Sequence, residues 1–478
     1  MTDILIGLEI HCQLTSLKSK LFCCCRGNYR NSKPNSNICP VCCGFPGTLP
    51  LLNKKAVEQS AMISYSFECK IPEKLMFYRK NYFYPDLPKN FQITQYNVYG
   101  LTSIGSQGRI KVNDSRFIKI RRVQLEEDPG RILYAPSYTY TNNNALIDYN
   151  RAGVSLVEIV TEPDFTSPQE VRYFLNKFSS LLEHIGICDT TLEGAVRCDV
   201  NVSLKGGNRV EIKNVNSFKE VEKALTFEIS RQTNLLARNI KIKSETRHWD
   251  EQRKITKVAR TKEEEQDYRY FPEPDIPLIQ LGNEFSSQIS KLIPELPDQR
   301  RSRFTSNYKL SDHVSNILIN SKKLADFFES CVKIYASPIE IANWIVNDLM
   351  GLIGSEEITL LDSIKFKPNH MVELASLVDE GKINRSTAKQ ILTKMFQTGE
   401  TPSQLLNMED SSRIDDENLI EKAVDQVFKS EKTAVNDAML NSSAINFLVG
   451  KVMQVTKGRA DPKIVMQLIN LKLTQSRV

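Results

Sequence analysis

Cysteines close to the start of the chain offer the most distinctive chemistry in this sequence. Seven of the eleven cysteines lie between residues 12 and 43. Cys23 and Cys25 form one close pair, and Cys39 and Cys42 form a second pair after a loop rich in turn-forming residues. Two pairs of thiolates on neighbouring turns are typical of tetrahedral zinc sites, so we predict that these four cysteines bind zinc. Four thiolates leave no open position on the metal, which indicates a structural role.

Other interpretations of the cysteines stay open at this point. Cys24 and Cys43 stand beside the proposed ligands and compete with them. The cluster could instead contain disulfides or unrelated free thiols. Disulfide frameworks are characteristic of small secreted domains, whereas this chain is long and its first residues do not resemble a secretory leader. We therefore expect a cytoplasmic protein with reduced thiols.

Acidic and basic side chains share faces of several expected strands. In residues 4–11 apolar and polar residues alternate, so Glu9 and His11 fall on one face. Residues 196–204 alternate in the same way and place Arg197 and Asp199 together, ahead of a glycine turn and a return strand expected over residues 209–213. Further candidates on or beside strands are Lys80, Glu126, Glu127, Arg151, Glu158, Arg209 and Lys213.

So many carboxylates exceed the needs of one general acid and one general base. They suit one or two Mg²⁺ ions, which prefer oxygen ligands and substrate phosphates. The cations that could neutralise phosphate oxygens are Lys80, Arg151, Arg197, Arg209 and Lys213. The sequence has neither a P-loop nor a strand followed by Gly-x-Gly-x-x-Gly, so a nucleotide would be held by another architecture. Polar faces are also normal on a solvated antiparallel sheet, which is the plain alternative.

The elements that must position these residues change type along the chain. The first 270 or so residues alternate strand patterns with a few helices, two of which begin at capping boxes opened by Ser167 and Ser217. After a proline-rich stretch, helical periodicity takes over. We predict an α+β protein with an antiparallel-sheet domain over 1–290, a helical linker domain over 291–400 and a helical tail domain over 401–478.

Composition restricts the class of protein. With 25% charged and 41% hydrophobic residues the chain is typical of soluble globular proteins, and no apolar run reaches the length of a membrane span. The net charge of +6 is mild. Basic residues concentrate in 205–262 and after residue 440, where they could follow a phosphate backbone or simply cover solvated helix faces.

A series of longer motifs resembles the B subunit of the glutamyl/aspartyl-tRNA amidotransferase family. In the family's order they are GLEIH (7–11), KLFC (20–23), CPVC (39–42), RKNYFYPDLPK (79–89), LEED (125–128), DYNRAG (148–153), RCD (197–199), EIKN (211–214) and DYRYFPEPD (267–275). VGKVM (449–453) and TKGRADP (456–462) resemble the family's tail domain.

The resemblance implies that the chain belongs to a carbon–nitrogen ligase. ATP and Mg²⁺ would phosphorylate the side-chain carboxylate of Glu-tRNA(Gln) or Asp-tRNA(Asn), and ammonia would then displace the phosphate. Ammonia would come from glutamine hydrolysed in the A subunit, which is a glutaminase, and the small C subunit would bridge the two. The resemblance also implies a glutamine synthetase-like cradle for the first domain and a tail that binds tRNA.

Carried onto matching positions, the resemblance assigns roles to individual residues. The leading candidates for catalysis and for binding magnesium are Glu9, His11 and Glu127, followed for catalysis by Glu126, Glu158 and Asp199. The candidates for binding phosphate on the same grounds are Lys80, Arg151 and Lys213.

Two other functions remain open. The related archaeal glutamate-specific subunit shares the first motifs but carries a large inserted domain, for which 478 residues leave little room. A zinc-stabilised RNA-binding protein without catalysis would use the basic segments and the aromatic stretch at 77–89 instead.

Overall fold

The chain folds into two compact units, Met1–Gln299 and Arg300–Val478. The computed structural model describes residues 4–97, 100, 102–113, 116–134, 145–215, 217–261, 268–282, 284–353, 364–409, 417–440, 444–456, 460 and 462–475. Five residues of the family-like motifs lie outside the described residues, namely Asp267, Lys457, Gly458, Arg459 and Asp461. An antiparallel-dominated sheet followed by helices confirms the predicted α+β class.

The first unit contains the strands. They are β1 (Ile4–Gln13), β2 (Lys74–Leu75), β3 (Tyr78–Asn81), β4 (Phe91–Thr94), β5 (Gly105–Asn113), β6 (Arg116–Glu127), β7 (Arg131–Tyr134), β8 (Ala145–Asp148), β9 (Ser155–Thr161), β10 (Val196–Leu204), β11 (Val210–Lys213), β12 (Glu245–Asp250), β13 (Ile255–Thr261), β14 (Phe271–Pro272) and β15 (Ile279–Gln280). Within the described residues, eight of them form one sheet in the order β13-β12-β11-β10-β1-β9-β6-β5. Every neighbouring pair is antiparallel except β11 and β12.

The two faces of β1 have different roles. Ile6, Leu8 and Ile10 are buried in the hydrophobic core, which also contains apolar side chains of α1 (Lys54–Ser66), α2 (Pro168–His184) and α3 (Phe218–Ala237). Strand alternation then places Glu9 and His11 on the opposite face. Because β1 lies between β9 and β10, residues distant in sequence meet these two side chains.

Two helices of the first unit begin as predicted. The Ser167 hydroxyl accepts a hydrogen bond from the Glu170 backbone N–H at 3.2 Å. The Ser217 hydroxyl accepts one from the Glu220 N–H at the same distance. Each serine satisfies a backbone donor that the first helical turn leaves without an intrahelical partner, which explains why the helices start where they do.

The second unit is helical in the residues described. Along the rest of the chain the helices are α4 (Phe285–Leu292), α5 (Pro297–Asn307), α6 (Asp312–Ile319), α7 (Lys322–Val332), α8 (Pro338–Asn343), a π-helical segment (Trp344–Leu349), α9 (Met350–Ile353), α10 (Pro368–Asp379), α11 (Arg385–Thr398), α12 (Pro402–Glu409), α13 (Glu417–Ser430), α14 (Lys432–Leu440), α15 (Ile445–Val455) and α16 (Pro462–Gln475).

From α5 onward, apolar side chains of these helices form two separate cores. One extends from Phe304 to Leu405 and the other from Ile420 to Leu473. The division of the chain into three domains at 290 and 400 stays a prediction. Among the described helices, none has both the length and the apolar composition needed to cross a membrane.

Candidate active site and cysteine centre

Three carboxylates surround the His11 imidazole. Its Nε2 atom lies 3.7 Å from Glu9 Oε1, 3.8 Å from Glu158 Oε2 and 3.9 Å from Glu126 Oε1. These separations exceed a good hydrogen bond. The ligand atoms of Glu9, His11 and Glu158 all lie within 4.8 Å of one another, so a single cation between them could contact all three.

The strand register explains why these groups converge. On β1, His11 is opposite Arg197 of β10 on one side and Glu158 of β9 on the other. Glu9 is opposite Asp199 of β10. Side chains at opposite positions of adjacent strands are near neighbours, so β1, β9 and β10 contribute to one polar surface.

Burial sets the protonation of this cluster. Burial, reinforced by the Glu158 carboxylate, raises the pKa of Glu9 to about 7. The same two causes raise the pKa of Glu126 to about 8. Burial lowers the pKa of His11, which favours the neutral imidazole that metals bind. A divalent cation would therefore displace protons from the Glu9 and Glu126 carboxyl groups when it binds.

The carboxylate cluster around His11 lines a cavity with a volume of about 430 Å³. Three basic side chains line the same cavity. Arg197 and Lys213 border it, and Lys213 Nζ lies 2.5 Å from Asp199 Oδ2. Lys80 is the third basic residue of the cavity, and its Nζ atom lies 4.9 Å from the centre of the Tyr268 ring. Burial opposes the charge on Lys80, but the nearby carboxylates outweigh it and raise its pKa. The cavity thus combines a cluster that could hold a cation with positive groups suited to phosphate.

Two predicted phosphate ligands lie elsewhere. The Arg151 guanidinium donates to the carbonyl oxygens of Pro129 at 2.9 Å and Gly130 at 2.7 Å. Arg209 is exposed and precedes β11 instead of belonging to it. Of the five predicted phosphate-binding residues, the structure brings Lys80, Arg197 and Lys213 together in the cavity and leaves Arg151 and Arg209 outside it.

Glu127 points away from the cluster around His11. Its carboxylate oxygens lie 2.5 and 2.6 Å from Lys89 Nζ, and one of them accepts the Ile93 backbone N–H at 2.8 Å. These residues line a second cavity, of about 280 Å³, beside Cys42. The structure therefore does not bring the predicted magnesium set of Glu9, His11 and Glu127 together.

Sequence reasoning missed several residues in and around these cavities. Gln13, Lys89 and Arg122 were not predicted as site residues. Arg122 nevertheless contacts the cluster around His11, because its Nη2 atom donates to Glu158 Oε1 at 2.9 Å. Alternation along β6 was the available signal for Glu126 and Glu127, because adjacent strand residues point to opposite faces. The partners of Gln13 and Lys89 come from distant parts of the chain and carry no local signal.

The four predicted cysteine ligands converge. The sulfur atoms of Cys23, Cys25, Cys39 and Cys42 all lie within 4.8 Å of one another. The Cys39 backbone N–H donates to Cys42 Sγ at 3.2 Å, and Lys20 Nζ lies 3.6 Å from the same sulfur. A hydrogen bond from Cys23 and the Lys20 charge lower the pKa of Cys42 to about 4, which favours a thiolate. This group could hold a metal ion, and all eleven cysteines are free of disulfides.

Known proteins match this chain along almost its whole length. A family profile described as the GatB/GatE catalytic domain matches residues 4–287, and one described as the GatB domain matches residues 326–473. The chain belongs to the GatB/GatE family. The resemblance identified from the sequence motifs is thereby confirmed.

Curated members of the GatB/GatE family show how far the similarity extends. Three similar proteins are each named as the B subunit of an aspartyl/glutamyl-tRNA(Asn/Gln) amidotransferase. The one from Saccharolobus solfataricus is 46% identical over 468 residues, covering 98% of this chain and 99% of that protein. The one from Thermotoga maritima is 42% identical over 477 residues, covering 97% of each. The one from Thermodesulfovibrio yellowstonii is 42% identical over 478 residues, covering 98% of each.

Proposed function

We propose that this protein is the B subunit of a tRNA-dependent amidotransferase. It would phosphorylate the side-chain carboxylate of Glu-tRNA(Gln), Asp-tRNA(Asn) or both with ATP, and then form the amide with ammonia. The observation that best supports this proposal is the cavity around His11, which is lined by a carboxylate–imidazole cluster and by three basic side chains. Phosphoryl transfer depends mainly on positioning and on neutralising charge, and this cavity offers groups for both.

Each group in the cavity has a proposed role. Glu9, His11 and Glu158, with Glu126 beside them, would hold Mg²⁺. When bound, the ion would neutralise phosphate charge and orient the ATP phosphates. Lys80, Arg197 and Lys213 would contact phosphate oxygens directly.

The remaining proposals concern substrates and partners. Ammonia would come from glutamine hydrolysed in the glutaminase partner, the A subunit, and the small C subunit would complete the complex. The helical part of the chain after residue 400 would bind tRNA, and the complex would work in the cytoplasm. The B-type assignment is favoured over the glutamate-specific one because the curated relatives with the B-type name match from end to end.

The experiment that tests this function is an amidation assay with the co-expressed partner subunits. The complex should convert Glu-tRNA(Gln), Asp-tRNA(Asn) or both to the amide, and only with ATP and glutamine or ammonia present. Chromatography of the amino acid released from the tRNA measures the product. A complex that binds both tRNAs but amidates neither would favour the non-catalytic RNA-binding alternative.

We propose that the cysteine centre holds a structural zinc ion. Cys23→Ser should remove the bound zinc, because three thiolates and a hydroxyl bind zinc poorly, and should lower the unfolding temperature. Cys24→Ser is a matched control, since the neighbouring Cys24 is exposed and outside the group. Elemental analysis gives the zinc content of each variant. Equal zinc in both variants would refute the ligand assignment, and complete inactivity of a folded Cys23→Ser complex would contradict a purely structural role.

A further inference from the structure

A chain of polar side chains joins the cysteine loop to the active-site cavity. Arg30 lies between the two cysteine pairs in sequence. Its Nη2 atom donates to Gln13 Oε1 at 2.8 Å and to the Glu193 carbonyl oxygen at 2.9 Å. The guanidinium also lies over the Tyr29 ring at 5.0 Å, which helps to hold it in place. Arg30 is therefore held by three contacts although it is partly exposed.

Gln13 continues this chain into the interior. Its Nε2 atom donates to Asp128 Oδ2 at 2.5 Å. Asp128 Oδ1 in turn accepts a hydrogen bond of 2.7 Å from Arg197 Nη2. Gln13 and Asp128 are each only 1% exposed, so water does not replace a lost partner readily. Arg197 ends the chain in the cavity, opposite His11 in the sheet.

The amide of Gln13 gives this chain a direction. An amide has an accepting oxygen at one end and a donating nitrogen at the other. Arg30 can only donate and an ionised Asp128 can only accept, so together they leave one favourable orientation. Without Arg30, the amide oxygen loses its charged donor, so the Gln13 side chain could shift and its hydrogen bond to Asp128 would weaken. Asp128 would then hold Arg197 less firmly, although Arg151 still lies 3.8 Å from Asp128.

We propose that Arg30 is a positioning residue for phosphoryl transfer. Acting through Gln13 and Asp128, it fixes the Arg197 guanidinium at the place in the cavity where a phosphate would bind. This inference rests on the proposed function, because it assigns Arg197 a phosphate to contact. It also gives the loop between the cysteine pairs a role in the active site that its cysteines alone do not have.

The test compares substitutions in the cysteine loop within the complete amidotransferase. Arg30→Ala should lower kcat for amidation about 10-fold, as is typical when a residue behind a ligand-contacting group is lost, with KM for tRNA unchanged. Arg30→Lys should recover most of the rate, because an ammonium can also donate to Gln13. Arg26→Ala, which removes an exposed arginine from the same loop, should stay within about twofold of the unaltered enzyme.

A double substitution separates positioning from general stability. Gln13→Leu breaks the chain at its second member, so adding Arg30→Ala to it should cost less than about twofold in kcat. Zinc content and unfolding temperature should be the same in Arg30→Ala and Arg26→Ala. Full activity of Arg30→Ala, loss of zinc from it, or additive effects on kcat in the double variant would each overturn the proposal. An unaltered complex that amidates neither tRNA would instead defeat the proposed function itself.

Discussion

His11→Ala should nearly abolish ATP-dependent amidation while the protein stays folded. The imidazole lies at the centre of the cavity, within 3.9 Å of three carboxylates. Removing it deletes the one nitrogen ligand of the proposed Mg²⁺ site and leaves only carboxyl groups to hold the ion. A loss of about 4 kcal/mol of transition-state stabilisation corresponds to about a 10³-fold lower kcat. Single-turnover amidation at saturating ATP measures this directly.

His248→Ala is the control for that measurement. His248 is an exposed residue of β12 in the same sheet, so its loss should leave the rate within about twofold. Binding of the mischarged tRNA should survive in both variants, since it depends mainly on phosphate contacts elsewhere. A folded His11→Ala enzyme with more than a tenth of the normal rate would show that His11 is not a ligand of the ion.

Local patterns allowed much of the fold to be predicted. Alternation in residues 4–11 correctly divides β1 into a buried face and a polar face. The capping serines Ser167 and Ser217 correctly mark the starts of α2 and α3. The cysteine pairs converge because the ligand spacing is itself local. In each case the physical cause acts within one short stretch of the chain.

Pairing between distant strands could not be predicted in this way. His11 meets Glu158 and Arg197 because β9 and β10 flank β1 in the sheet. Many pairings of strand-like segments satisfy the same alternation, so the sequence alone did not show that they are neighbours. Arg209 was placed on a return strand that begins only at Val210. Arg151 binds backbone carbonyl groups, which carry no sequence signal of their own.

Glu126→Gln and Glu127→Gln should have different effects on metal binding, although the two residues are adjacent in β6. Glu126 lies beside His11, whereas Glu127 is paired with Lys89 in the other cavity. We expect Glu126→Gln to weaken Mn²⁺ binding, used as a probe for Mg²⁺, by about 10- to 100-fold, the range typical of losing a supporting ligand group. Glu127→Gln should change this affinity by less than about threefold, but should lower stability because the partly buried Lys89 is left without its carboxylate partner. Calorimetric titration and thermal unfolding give both quantities. If Glu127→Gln were the variant that lost the ion, Glu127 would be a magnesium ligand, as the sequence motifs suggested, and the ligand set of Glu9, His11 and Glu158 would be wrong.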